Sequence, residues 1–143
     1  PRYPLLLTTG RILSHYNVGA QTRRTENVAW HLEDVLEIHP VDAEDRGVKR
    51  GDWVKLASRS GETTLRATVT DRVAPGVVYT TFHHPATQAN VVTTEYSDWA
   101  TNCPEYKVTA VQISPSNGPT DWQEDYERRS RRSRRIVEET PAE

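Results

Sequence analysis

Apolar positions in this chain come in short alternating runs, the period of half-buried strands rather than of amphipathic helices. Leu5, Leu6 and Leu7 open the first run with Thr8 and Thr9, and Gly10 ends it. Val35 to His39 forms a second run, stopped by Pro40. In "GDWVKLASRSGETTLRATVTDR", Val54 and Leu56 alternate with polar neighbours, as do Leu65, Ala67 and Val69. Ser60-Gly61 between those two runs supplies a tight reversal, so the segment predicts a β-hairpin. "APGVVYTTF" adds a strand after the Pro75-Gly76 turn, and Lys107 to Ile113 adds the last.

Helical signals are shorter. "VDAEDRGVKRGD" has room for a brief helix stopped at Gly47, and "NVAWHLEDVL" reads as either a short helix or a loop. Few strands are long and few connections are hairpins, which favours a compact β-barrel with crossing loops over a sandwich.

The pattern changes after Ser114. "SPSNGP" is linker-like, and Thr120 followed by Gln123 matches a capping box. A helix from Asp121 to Val137 then places acidic residues at its positive end and arginines towards its negative end. Glu124–Arg128, Asp125–Arg129 and Glu127–Arg131 sit at the favourable i,i+4 spacing. The expected division is a barrel domain over residues 1–115 and a linker with a charged helical tail over 116–143. The arginine run from Arg128 to Arg135 reads first as a solvated terminal helix, with docking to the rest of a parent protein as the alternative.

Composition narrows the class. The 143 residues are enough for one domain with a real core, but the hydrophobic content of 35% and mean hydropathy of -0.75 suggest that part of the chain lies outside it. A formal charge of -2 argues against general nucleic-acid binding. No stretch approaches the roughly 20 apolar residues of a membrane span, and no secretory segment is evident. Cys103 is alone, which precludes an internal disulfide or a multi-cysteine metal site and fits a cytoplasmic setting. The chain starts at Pro1 and contains no Met, as expected of a piece of a longer polypeptide.

Candidate chemistry is dispersed. His83 and His84 could bind a metal, yet neighbours on a strand point to opposite faces, and no third ligand has a recognisable spacing. Cys103 precedes Pro104 with no identifiable base, so an unreactive thiol is the plainer reading. No Walker loop, dinucleotide fingerprint or nucleophile elbow is present. What remains is a set of polar clusters at strand ends, "TTGR…HYN", "TQAN" and "NCPEYK", suited to a large anionic ligand. Thr8, Thr9 and the Gly10 backbone can approach phosphate oxygens, Arg11 can grip one bidentately, and Lys107 adds a point charge. His15, Asn17 and Asn90 can hydrogen-bond a heterocycle, although any one of these residues could merely cap a turn.

Together these segments carry a resemblance. "TTGRILSHYN", the hairpin "GVKRGDWVKLASRSGETTLRATVTDRVAPGVVY" and "QANVVTTEYSDWATNCPEYKVTAVQI" resemble the C-terminal domain of the molybdopterin-dinucleotide oxidoreductases, in order and spacing, over Pro4 to Ile113. "TTFHHPATQANVVTTEYSDWATNCPEYK" is most similar to the alpha chain of NAD-linked formate dehydrogenases. The resemblance implies a mainly β fold, a double-psi β-barrel that holds bis(molybdopterin guanine dinucleotide) of molybdenum or tungsten. It implies cofactor contacts by Thr9, Gly10, Arg11, His15, Tyr16, Asn17, Asn90 and Lys107, with Phe82 on the substrate side.

The metal ligand, the catalytic residues and the Fe–S cysteines of such enzymes belong to other domains, so none is expected here. By the same resemblance, formate oxidation with electrons passing through Fe–S clusters and FMN to NAD would require the remaining domains and subunits. The isolated domain is expected to be inactive. Two alternatives stand beside this: the same domain of another molybdenum enzyme, such as a nitrate reductase, or a non-catalytic double-psi module that binds a protein.

Overall fold

The structure is a computed structural model; it describes residues 2–139, with side chains to residue 131. Six strands form a closed barrel: β1 (Leu5–Gly10), β2 (Val35–Ile38), β3 (Trp53–Ala57), β4 (Glu62–Val69), β5 (Val77–Thr81) and β6 (Thr109–Pro115). Their order around the barrel is β1-β5-β2-β4-β3-β6, and β6 closes back onto β1. The β1/β5 and β2/β4 pairs are parallel and the others antiparallel. Among the described residues, only β3 and β4 form a hairpin between consecutive strands; the two parallel pairs require the chain to cross the barrel, as expected of a double-psi arrangement.

Alternation builds the interior. Successive side chains on a strand point to opposite faces. Leu5 and Leu7, Leu36 and Ile38, Val54 and Leu56, Leu65 and Ala67, and Val111 and Ile113 therefore turn inward into one buried cluster. A closed barrel also leaves no unpaired strand edge. Two short elements differ from expectation at their ends. The run ending at His39 stops at Ile38, because His39 accepts the Val41 N–H through Nδ1 and caps helix α1 (Pro40–Glu44). The last strand begins at Thr109 rather than Lys107.

"NVAWHLEDVL" resolves as a 3-10 turn, Glu26–Ala29, followed by an irregular segment running into β2. Helix α2 spans Asp121–Glu139, and its capping box forms: the Thr120 N–H donates to Gln123 Oε1 at 2.8 Å, and the Gln123 N–H to Thr120 Oγ1 at 3.3 Å. The helix is not wholly solvated. Gln123 is buried against β4, donating through Nε2 to the Thr64 carbonyl at 2.8 Å while Oε1 accepts from the Thr64 hydroxyl. Arg129 and Arg131 pair with Asp125 and Glu127 as the spacing predicts, whereas Arg128 pairs with Asp125 one position nearer. The arginines beyond Arg131 lie outside the residues whose side chains are described.

Candidate functional site

Register explains why the polar clusters meet. In the parallel pair, Gly10 lies opposite Thr81, so the loop leaving β1 emerges beside Phe82, His83 and His84. Leu7 lies opposite Thr109 in the antiparallel pair, which lays Tyr106 and Lys107 along Thr9. β2 is antiparallel to β5, so its entry residue Asp34 also reaches the exit of β5. Four segments distant in sequence thus converge at one end of the barrel.

At the centre is a cation flanked by rings. The Arg11 guanidinium is 5.9 Å from the Phe82 ring centroid and 6.0 Å from that of Tyr16, and it donates to Asn17 Oδ1 at 3.1 Å. Arg11, Tyr16 and Asn17 are exposed. One hydrogen bond occupies few of the five guanidinium N–H groups, which leaves a charged fork between aromatic faces. Asn17 adopts φ 47°, a left-handed conformation that Asn tolerates better than most residues.

The loop that carries these groups is tied down by residues behind it. The Ile12 N–H donates to His83 Nε2 at 3.1 Å, while His83 Nδ1 is within hydrogen-bond reach of the Asn17 carbonyl oxygen. The Tyr79 hydroxyl donates to the Arg11 carbonyl at 3.3 Å. Burial, reinforced by the Glu37 carboxylate, raises the Tyr79 phenol above its ordinary range, which keeps that proton in place.

Asp34 anchors the next layer. Its carboxylate accepts from the backbone N–H groups of His83 and His84 at 3.1 and 2.9 Å, from the Thr81 hydroxyl, and from His84 Nδ1 at 3.2 Å. Burial alone would raise its pKa. The hydrogen bonds from the His84 ring, the Thr81 hydroxyl and the His84 N–H, together with His84's charge, outweigh that and hold the carboxyl below the usual range.

Several predicted contacts are spent inside the scaffold. Thr9 is buried and donates its hydroxyl to the Tyr106 carbonyl at 2.9 Å, and Lys107 Nζ donates to the Thr9 carbonyl. His15 is buried, with Nδ1 on the Thr22 hydroxyl at 3.0 Å and Nε2 on the His31 carbonyl at 3.2 Å. The space that Gly10 leaves by lacking a Cβ is filled by Tyr79: a Cβ there would lie 2.6 Å from Tyr79 Cε2 and overlap its hydroxyl. Among the described residues, no three His, Cys, Asp or Glu side chains are arranged to hold a metal ion, and Cys103 is exposed.

Asn90 stands apart from Arg11. It is exposed in a 3-10 turn, Ala89–Val91, against the β3–β4 hairpin tip, where a Cβ on Gly61 would lie 2.8 Å from the Val91 carbonyl oxygen. A groove of about 1250 Å³ runs past Asn90 between Arg2, Arg59, Ser60, Thr94 and Thr109. Among the described residues, the buried hydroxyls of Thr94 and Thr109 have no hydrogen-bond partner. Arg2, Arg59 and the Asn90 amide give the groove donors for a polar, anionic ligand such as a dinucleotide, with the Glu95 carboxylate as the opposing charge on its wall. A second cleft, about 1000 Å³ between α2 and the barrel, is lined by none of the predicted cofactor residues, and the chemistry favours the Asn90 groove.

Asp34, Tyr79 and His83 were not among the sequence-predicted cofactor contacts. Their signals were faint: a carboxylate immediately before a buried strand, a tyrosine within a valine-rich strand, and a histidine at a strand exit, each explicable as ordinary surface chemistry.

A family model described as "Molydopterin dinucleotide binding domain" matches residues 5–110. The chain is 43% identical over 112 residues to the F420-dependent formate dehydrogenase 1 subunit alpha of Methanococcus maripaludis, covering 78% of this chain and 17% of that protein. Identity and coverage are the same for the F420-dependent formate dehydrogenase subunit alpha of Methanocaldococcus jannaschii. It is 37% identical over 115 residues to the assimilatory nitrate reductase catalytic subunit of Bacillus subtilis, covering 79% of this chain and 16% of that one. The chain thus spans less than a fifth of the length of these relatives.

Among solved structures, acetylene hydratase from Pelobacter acetylenicus aligns with a TM-score of 0.68 at 16% identity, over 80% of this chain and 18% of that one, a likeness of fold. With the family model matched over most of the barrel and the converging strand ends in place, the chain belongs to the molybdopterin dinucleotide-binding domain family.

Proposed function

We propose that this chain is the cofactor-binding domain of a formate dehydrogenase alpha subunit, holding bis(molybdopterin guanine dinucleotide) of molybdenum or tungsten. The observation that carries this is the Arg11 fork between Tyr16 and Phe82, beside Asn17 and on a loop secured from behind. Arg11 and Asn17 would hold phosphate and heterocycle edges, Tyr16 and Phe82 would flank them, and Asn90 would read a base from its own groove. Phe82 would also face substrate. Gly10, Thr9 and His15 would act by shaping the loop, since their polar atoms or their space are already used within the barrel, while exposed Lys107 would offer the ligand the ammonium N–H groups that its bond to the Thr9 carbonyl leaves over.

When bound, the metal–pterin group would supply two-electron redox chemistry, and this chain would orient it and tune its surroundings. Formate oxidation to CO2 belongs to the full-length protein in this reading. Residues 1–115 would form its cofactor-binding unit and 116–143 a linker and charged helical tail, in a cytoplasmic enzyme with Fe–S clusters and FMN elsewhere. The names of the formate dehydrogenase relatives point to F420 rather than to the NAD expected from the resemblance, and the acceptor would be set outside this chain. Leu13, Trp30, Leu32 and Trp99 are exposed on loops, which supports packing of these loops against the remaining domains and subunits.

Titrating GDP into the isotopically labelled 143-residue chain tests the reading. Amide shifts at Arg11, Asn17 and Asn90, weakened by Arg11→Ala, are expected; shifts confined to α2, or none, would overturn it. The nitrate reductase likeness favours a second reading of the full-length enzyme, which assays of formate against nitrate turnover separate.

A further inference from the structure

We propose that His83 is a positioning residue for the cofactor loop, a neutral imidazole of one fixed tautomer that holds Ile12 and Asn17 at a set distance across the Arg11 turn. This rests on the cofactor reading above for its consequence, but not for its geometry. His83 is fully buried at the exit of β5. Its Nε2 lies 3.1 Å from the Ile12 amide nitrogen, which can only donate. Its Nδ1 faces the Asn17 carbonyl oxygen, which can only accept. The two partners therefore demand opposite roles of the two nitrogens: Nε2 bare and Nδ1 protonated. Neither the cationic ring nor the other tautomer satisfies both.

The main chain of His83 is fixed as firmly as its ring. Its N–H donates to the buried Asp34 carboxylate at 3.1 Å, and Asp34 also grips His84 and Thr81 on either side. A chain of contacts thus leads from Asp34 to the His83 backbone, through the ring to Ile12 and Asn17, and from Asn17 Oδ1 to the Arg11 guanidinium at 3.1 Å. The exposed, ligand-facing part of the loop has its conformation set by a side chain that need not touch the ligand. Such support decides whether a donor constellation is ready before binding or must be ordered on binding.

Nitrogen-15 NMR of the histidine rings in the 143-residue chain, without ligand, tests the tautomer directly. A neutral His83 ring protonated at Nδ1, with Ile12 amide exchange slowed, is expected. A ring protonated at Nε2, or cationic, would overturn the proposal. His83→Gln offers one amide oxygen to Ile12 and one amide N–H to Asn17, and His83→Leu offers neither. The expected results are Ile12 protection kept in the Gln variant and lost by about tenfold or more in the Leu variant, the scale of one or two hydrogen bonds. GDP affinity should fall by about tenfold for Leu and less than about threefold for Gln. Protection of β3 and β4 amides serves as the check that the barrel is intact.

Equal Ile12 protection in all three proteins would overturn the clamp, as would unchanged GDP affinity in the Leu variant. Failure of the unsubstituted chain to bind GDP would remove the cofactor reading while the ring and Ile12 measurements still decide the clamp. If the Leu variant does not fold, the tautomer in the unsubstituted chain decides it.

Discussion

Gln123, in the first turn of α2, is buried against Thr64 of β4 and exchanges hydrogen bonds with both its hydroxyl and its carbonyl. The same amide oxygen closes the capping box with Thr120, so one side chain both starts the helix and fastens it to the barrel.

Gln123→Ala should therefore lower stability by about 1–3 kcal/mol, more than a solvated cap would, because it also leaves the Thr64 hydroxyl buried and unpaired. Thr64→Val should cost less on its own, and the double variant should show a coupling of about 1 kcal/mol. Urea denaturation measures each. Additive effects would mean that the two side chains do not share their stabilisation.

Asp34 makes the barrel end acid-sensitive. Its carboxyl lies below the ordinary value of 3.8, so folding favours the charged form. The sign follows: its contribution is complete above the unfolded-state value and is lost as pH falls through the lower folded-state value. Stability of the unsubstituted chain should therefore decline more steeply below about pH 4 than that of Asp34→Asn. Asp34→Asn should also be less stable near neutral pH, by about 2 kcal/mol, since an amide cannot accept from all four donors. Denaturation midpoints across this pH range test both statements, and parallel curves for the two proteins would refute the assignment.

Gly10 is required by Tyr79 rather than by an unusual backbone angle. A Cβ at residue 10 would lie 2.6 Å from Tyr79 Cε2, and the ring is stiff and half-buried. Gly10→Ala should cost about 1–3 kcal/mol, the range for overpacking, and should break the Tyr79 bond to the Arg11 carbonyl. With Tyr79→Ala in the background the same substitution should cost much less. A double-mutant cycle by thermal or chemical denaturation reads this directly; a full penalty in the Tyr79→Ala background would show that the overlap is not the cause.

The chain's local order was legible because it is written at short range. Alternation at Leu5–Leu7, Val54–Leu56 and Leu65–Ala67 marks strands, Ser60-Gly61 marks the hairpin, and Thr120 with Gln123 marks the start of α2, since each signal depends on neighbours within a few residues. The family motifs likewise marked Arg11, Tyr16, Asn17 and Phe82, which the fold gathers into one cluster. Which polar atoms remain free for a ligand was decided only by tertiary structure. Thr9 and Lys107 meet each other across the β1–β6 pairing, His83 reaches Ile12 across β1–β5, and Gln123 reaches Thr64 once the barrel has closed. A side chain's hydrogen-bonding capacity is the same in every sequence context, but whether it is spent inside or offered outside depends on partners that only strand register brings within reach.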